Sequence, residues 1–235
     1  MNSFSIKQAE NGFSILRNDA VIKTPAGKEL IVPSHGLAEM ITEELSENCK
    51  TIKTAQDYKN ALVKMPMMRL AMAAIDVVSE RKNEIIDEIV SKIDTDIVCY
   101  RTGTNHELQK LENENWNPVV EWFSKKFETK LIIKDSIFFI EQSEAVKEKL
   151  KQYLLNIEPF LLSGISQAVS DTDSLLISLM LLEGELTPEK ALELSALEEL
   201  WQAKHWGEDL ELRKKHRELM KDLVICDKWF GNVKS

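Results

Sequence analysis

The sequence predicts an α+β protein, with a small β-rich N-terminal domain over residues 1–64 and a larger, mainly α-helical domain over 65–235. Two observations carry this. The first 33 residues hold short β-branched and aromatic runs separated by turn residues, whereas from Met65 apolar residues recur at helical spacing. Gly and Pro number only 8 and 6 in 235 residues, so a long flexible linker is not expected.

In the first domain, FSILRN and AVIKT flank Asn18-Asp19, a pair suited to a tight hairpin turn. The turn TPAGK precedes KELIV, which predicts two hairpins or a three-stranded meander. Pro33-Ser34 then opens a helix with Leu37, Ile41 and Leu45 on one apolar stripe. Residues 46–64 are polar and read as an irregular connection.

In the second domain, MMRLAMAAIDVV and RKNEIIDEIVSKI read as two helices with Ser79 as a cap between them. Thr104 and Glu107 match a capping box that starts a third, and Asn117-Pro118 breaks or restarts it. KLIIKDSIFFI, 130–140, has strand composition, and helices follow at 143–156 and 158–183. The run LLISLMLL is eight residues, too short to cross a membrane, and reads as a core helix. Thr187-Pro188 caps the next helix, and helical material continues to about 228 with a bend at Gly207.

Composition narrows the function. A net charge of −9 argues against nucleic acid. Cys49, Cys99 and Cys226 are odd in number and widely spaced, so neither a disulfide framework nor a zinc site is expected. There is no P-loop, GxGxxG or GxSxG. DTDIVCYR, 94–101, lacks the Gly and distal Glu of a calcium loop and reads as a helix-terminating segment. Cys99 with His106 as base, and His205 with His216 as metal ligands, carry the alternative, a hydrolase or other enzyme using Cys99 or His205.

Charge is more informative. Nine acids and two bases fall between Glu183 and Glu211, which is −7 of the total −9. This is either a solvated helix face or a docking surface for a basic partner. Read as one helix, this stretch is apolar on two sides, with Glu198 and His205 inside one apolar arc. A buried Glu198 would need a partner, for which Arg69, Arg101 and His205 are candidates, or it would line a groove.

Five motifs in order carry a resemblance: TPAGKELIVPSHGLAEMI, MPMMRLAMAAID, DTDIVCYR, WNPVVEW and LSALEELWQAKHWGEDLE. Together they resemble the ATP synthase assembly chaperones that handle the alpha subunit of the catalytic head. The resemblance implies a binding protein, not an enzyme, that takes up unassembled alpha subunit and passes it to assembly with beta. It implies no metal and no cofactor. The LSxLEE acid falls on Glu198, the terminal tryptophans on Trp201 and Trp206, and those of WxPxxxW on Trp116 and Trp122. The candidate partner-binding residues are Glu198, Trp201, Trp206, Asp209, Arg101 and Trp116. Leu45 stands where this family usually has Trp. A monomer in the bacterial cytoplasm is expected, with the mitochondrial matrix as second choice, because no basic, apolar or Arg-rich leader precedes the domain.

Overall fold

The computed structural model describes residues 3–49, 54–135, 138–139 and 141–234. Packing divides the chain into two compact units: residues 1–82 with 158–164 and 228–235, and residues 83–157 with 165–227.

The first unit holds a four-stranded antiparallel sheet of β1 (Phe4–Ala9), β2 (Gly12–Arg17), β3 (Ala20–Val21) and β4 (Ile31–Val32). β2 is central, pairing with all three others. Asn18 and Asp19 both take positive φ, 49° and 65°, and set Arg17 opposite Ala20, as a two-residue hairpin turn requires. β1 is an addition to the sequence reading. Its register puts Phe4 opposite Arg17 and Ala9 opposite Gly12. Gly12 is needed there, because a Cβ would lie 2.3 Å from the Val32 carbonyl oxygen.

Helix α1 (His35–Asn48) covers the sheet, burying Leu37, Ala38, Ile41 and Leu45, and Ser34 caps it by accepting from the Leu37 N–H at 3.1 Å. Beside Leu45 and Cys49 lies a cavity of about 350 Å³, in the position where the resemblance would put an indole. The polar stretch after α1 is not an irregular connection. Thr54 and Asp57 form a capping box that starts α2 (Ala55–Leu62). Lys50, Thr51, Ile52 and Lys53 lie outside the described residues.

Helix α3 (Pro66–Ala73) begins on a carboxylate from α1, since Glu44 accepts from the backbone N–H groups of Met67 and Met68, each at 3.0 Å. It runs into a π-helical segment, Ala74–Val78. There Asp76 accepts from the Thr24 hydroxyl at 2.6 Å and the Ala26 N–H at 3.1 Å, which anchors the TPAGK turn. The Ser79 hydroxyl donates to the Ala74 carbonyl, so it closes this segment rather than opening the next helix. Trp229 donates to the Phe160 carbonyl at 2.8 Å, and Gly164 lies so close to Trp229 and Phe230 that a Cβ would come within 2.6 Å of both.

The second unit is helical. It contains α4 (Lys82–Ser91, entering at Asn83), 3₁₀ turns at Lys92–Thr95 and Ile97–Cys99, α5 (His106–Phe127), α6 (Glu144–Leu155), most of α7 (Pro159–Thr172), α8 (Leu175–Glu183), α9 (Pro188–Ser195), α10 (Leu197–Trp206) and most of α11 (Leu210–Lys234). Helix α8 buries every residue from Leu175 to Leu182.

Four expectations need correction. Helix α5 starts on Asn105, which accepts from Glu107 and Leu108 N–H, and it continues through Pro118. The buried stripe of Leu108, Trp116, Val119 and Phe123 outweighs the roughly 3 kcal/mol that an interior Pro costs. The predicted helix over 158–183 is two helices, broken where Asp173 adopts a left-handed φ of 52° and Ser174 caps α8. Gly207, at φ 91°, ends α10 outright rather than bending a longer helix. Over 130–140, the described residues form one isolated bridge, Tyr100 to Lys134, instead of a strand; Ser136, Ile137 and Ile140 lie outside them. The reason is Gln142. Its side-chain amide accepts from Ile132 N–H and donates to Ile132 C=O, both at 2.9 Å, and so takes the groups a neighbouring strand would use.

Candidate functional site

The segment 94–101 is structural. Asp96 is fully buried, and its carboxylate accepts from Val98 N–H at 3.1 Å, Ser174 Oγ at 2.8 Å and Leu176 N–H at 3.0 Å. It therefore fastens the 3₁₀ turn at 97–99 to the start of α8. Burial pushes the Asp96 carboxyl up to about 6, against the pull of these donors. Asp94 pairs with Lys147 at 2.9 Å and accepts from Gln142 N–H at 2.8 Å. Cys99 is fully buried, and burial pushes its thiol up, beyond use as a nucleophile. His106 is exposed at the start of α5. Among the described residues, no group of three or more His, Cys, Asp or Glu is placed to hold a metal ion, and His205 and His216 sit on separate helices.

Arg101 and Trp116 lie inside the unit, 4% and 2% exposed. The Arg101 guanidinium donates to Asn113 and Asn117 and to the carbonyls of Val98 and Tyr100, and stacks 5.2 Å from the Trp116 ring. Trp116 Nε1 donates to the Leu194 carbonyl at 3.0 Å. That carbonyl is free because α9 ends at Ser195, one residue before the break at Ala196. Arg101 and Trp116 are thus buried and bonded to segments of their own unit.

The break at Ala196 also revises the position of Glu198. It stands in the first turn of α10, not in an apolar arc of one long helix, and its side chain is exposed. It makes no hydrogen bond or ion pair among the described residues. It lines a cavity of about 250 Å³ with Asp171, Asp173, Glu199 and Lys215. Glu199 differs from it. Burial raises the Glu199 carboxyl, yet Lys215 at 2.5 Å and His216 at 3.1 Å hold it below its usual value.

Trp201 is buried, and its Nε1 meets no acceptor among the described residues. Its ring lies 4.2 Å from His205 and 5.5 Å, edge-on, from Trp206. Trp206 and Leu210 project, 74% and 81% exposed. Between them Asp209 caps α11, accepting from the Leu212 N–H at 2.7 Å, while Glu208 binds Arg213 at 2.7 Å. Many acids of the 183–211 stretch are therefore already paired. Glu183 meets Lys126 at 3.0 Å and Glu193 meets Lys190 at 3.0 Å.

One residue escaped the sequence reading. Glu112 is fully buried, accepts from Thr102 N–H at 2.8 Å, and its other oxygen meets no donor among the described residues. Burial, and then Glu198 nearby, raise its carboxyl. Its signal was available, since it occupies the apolar register of α5 between Leu108 and Trp116.

The chain is 29% identical over 208 residues to the mitochondrial protein atp12 of Schizosaccharomyces pombe, covering 84% of this chain and 70% of that one. The crystal structure of Atp12 from Paracoccus denitrificans superposes with a TM-score of 0.85 at 25% identity, over 98% of this chain and 96% of that one. The crystal structure of the Atu1473 protein of Agrobacterium tumefaciens gives 0.87 at 26% identity, over 97% and 83%. Residues 2–124 match the family described as ATP12 chaperone protein, which is more than half the chain, and the chain belongs to that family.

Proposed function

We propose that the protein is an assembly chaperone that binds the unassembled alpha subunit of the F-type ATP synthase catalytic head, prevents its aggregation, and releases it to assembly with beta. The observation that carries this is the surface of α10 and the start of α11. It combines an unpaired, exposed carboxylate, Glu198, with two projecting apolar side chains, Trp206 and Leu210. A free acid at one end of α10 and exposed aromatic and aliphatic groups at its other end suit a client that offers interface surface with a cation at its edge. The charged group gives selectivity, and the apolar pair excludes water at the contact. Such a role requires no bond making, no nucleotide hydrolysis and no cofactor. We infer that the chaperone acts as a monomer in the bacterial cytoplasm. No helix among the described residues is long and apolar enough to cross a membrane.

Co-expression with separate alpha and beta subunits, followed by co-purification, tests the reading. Alpha is expected to co-purify and beta is not. Glu198→Gln keeps the shape and removes the charge, and Glu198→Lys reverses it. Both variants are expected to keep the wild-type melting temperature, with capture weakened by Gln and abolished by Lys. Equal recovery of both subunits, or of neither, would sink the assignment. Undiminished capture by folded Glu198→Lys would move the contact elsewhere.

A further inference from the structure

We propose that the groove between α5 and α10 seats two turns of an amphipathic helix of the client, anchored by its aliphatic side chains and by an acidic residue at Lys204. This rests on the chaperone reading and adds a second contact surface for the client, lined by residues other than Glu198, Trp206 and Leu210. The groove encloses about 380 Å³. Helix α5 lines it at Glu107, Lys110, Leu111 and Glu114, and α10 repeats the same spacing from Leu197 to Lys204. Each wall is thus one ridge at i, i+3, i+4 and i+7, about 10 Å long. Two such ridges side by side leave a furrow that a third helix fills. Among the described residues no strand lines the furrow, so an extended peptide would find no backbone partners there, whereas a helix brings its own hydrogen bonds.

The floor is apolar, with Leu111, Leu197, Leu200 and Trp201. The rim sets the charge of the occupant. Glu107 faces His205 at 3.5 Å, and Lys110 faces Glu114 at 3.8 Å. Lys204 has no carboxylate partner among the described residues. Trp201, three residues before it on the same ridge, is 8% exposed and has an indole N–H without an acceptor. A client carboxylate at this end answers the unpaired ammonium and brings an acceptor to the neighbourhood of the indole. The expected segment therefore carries apolar residues at i, i+3 and i+4 and an acid within one turn of them.

The test measures capture of purified alpha subunit by the wild-type chain and by Lys204→Glu, Leu200→Arg and Trp201→Phe, with Lys92→Glu, at a separate cavity, as control. Lys204→Glu is expected to weaken capture about tenfold or more, because it sets like charges against each other. Leu200→Arg is expected to abolish capture. Trp201→Phe is expected to weaken capture while leaving the melting temperature unchanged or higher, since it removes an unmet buried donor. Lys92→Glu is expected to behave as wild type. If wild type captures alpha and the groove variants do so equally well, the groove proposal falls and the chaperone reading stands. If wild type captures no subunit, both fall. If wild type is a dimer that Leu200→Arg splits, the groove belongs to a second copy and the proposal is overturned. Should Leu200→Arg fail to fold, exposed Lys204 decides the matter.

Discussion

Replacing Asp96 by Ala is expected to destabilise the protein by about 3–5 kcal/mol, the usual cost of removing one partner from a buried charged network. The figure follows from what the carboxylate holds. Three donors converge on it at 2.8–3.1 Å, and two of them are backbone N–H groups at separate helical starts, the turn at 97–99 and helix α8. In the Ala variant those groups stay buried without an acceptor, at about 1–3 kcal/mol each. Relief of carboxylate burial offsets part of the sum. Asp96→Asn keeps one oxygen and turns an amide N–H₂ toward one donor set, so its cost is expected to be about 1–3 kcal/mol at neutral pH. The pH dependence has a definite sign. The folded carboxyl sits at about 6, above its ordinary 3.8, so between these values the folded state binds more protons than the unfolded one. Wild-type stability from this group therefore falls as pH rises from about 4 to 6, by up to about 3 kcal/mol, and the Asn variant lacks that slope. Urea unfolding at pH 4.5 and 7, followed by far-UV circular dichroism, reads both effects. An Ala variant within about 0.5 kcal/mol of wild type, the range of ordinary surface substitutions, would refute the fastening role.

Two further outcomes follow from burial. Leu45→Ala is expected to cost about 2–4 kcal/mol and lower the melting temperature measurably, because Leu45 is 1% exposed against the sheet and already borders a cavity; an unchanged melting temperature would mean that α1 is not docked. Cys99→Ser is expected to retain full alpha-subunit capture, since the thiol is buried and held protonated; loss of capture by a folded variant would revive a chemical role for Cys99.

Local rules made much of the fold legible. Asn18-Asp19, Ser34 and the Leu37–Ile41–Leu45 stripe each determine a feature from a few adjacent residues. The gaps have physical causes. β1 has only a weak alternation, Phe4 and Ile6 among polar residues, and its stability comes from pairing with β2. α2 is polar, and only its capping box marked it. The 130–140 segment has strand composition, but Gln142, two residues past its end, occupies the backbone of Ile132, and a side chain's choice of backbone partner is not written in composition. For the site, the acidic stretch and its tryptophans were visible, while their grouping was not. The break at Ala196 turned Glu198 outward, and long-range bonds drew Arg101 and Trp116 inside.

The clamp that Gln142 places on Ile132 has a consequence for solubility. The stretch around it is rich in β-branched and aromatic residues, and Phe138 and Phe139 are 76% and 63% exposed. Such a stretch with an open backbone edge is a template on which further chains can add as strands. By occupying both the N–H and the C=O of Ile132, a single side chain closes that edge at this point without adding a strand that would itself need covering. An incoming strand would therefore find neither donor nor acceptor of Ile132 available to it.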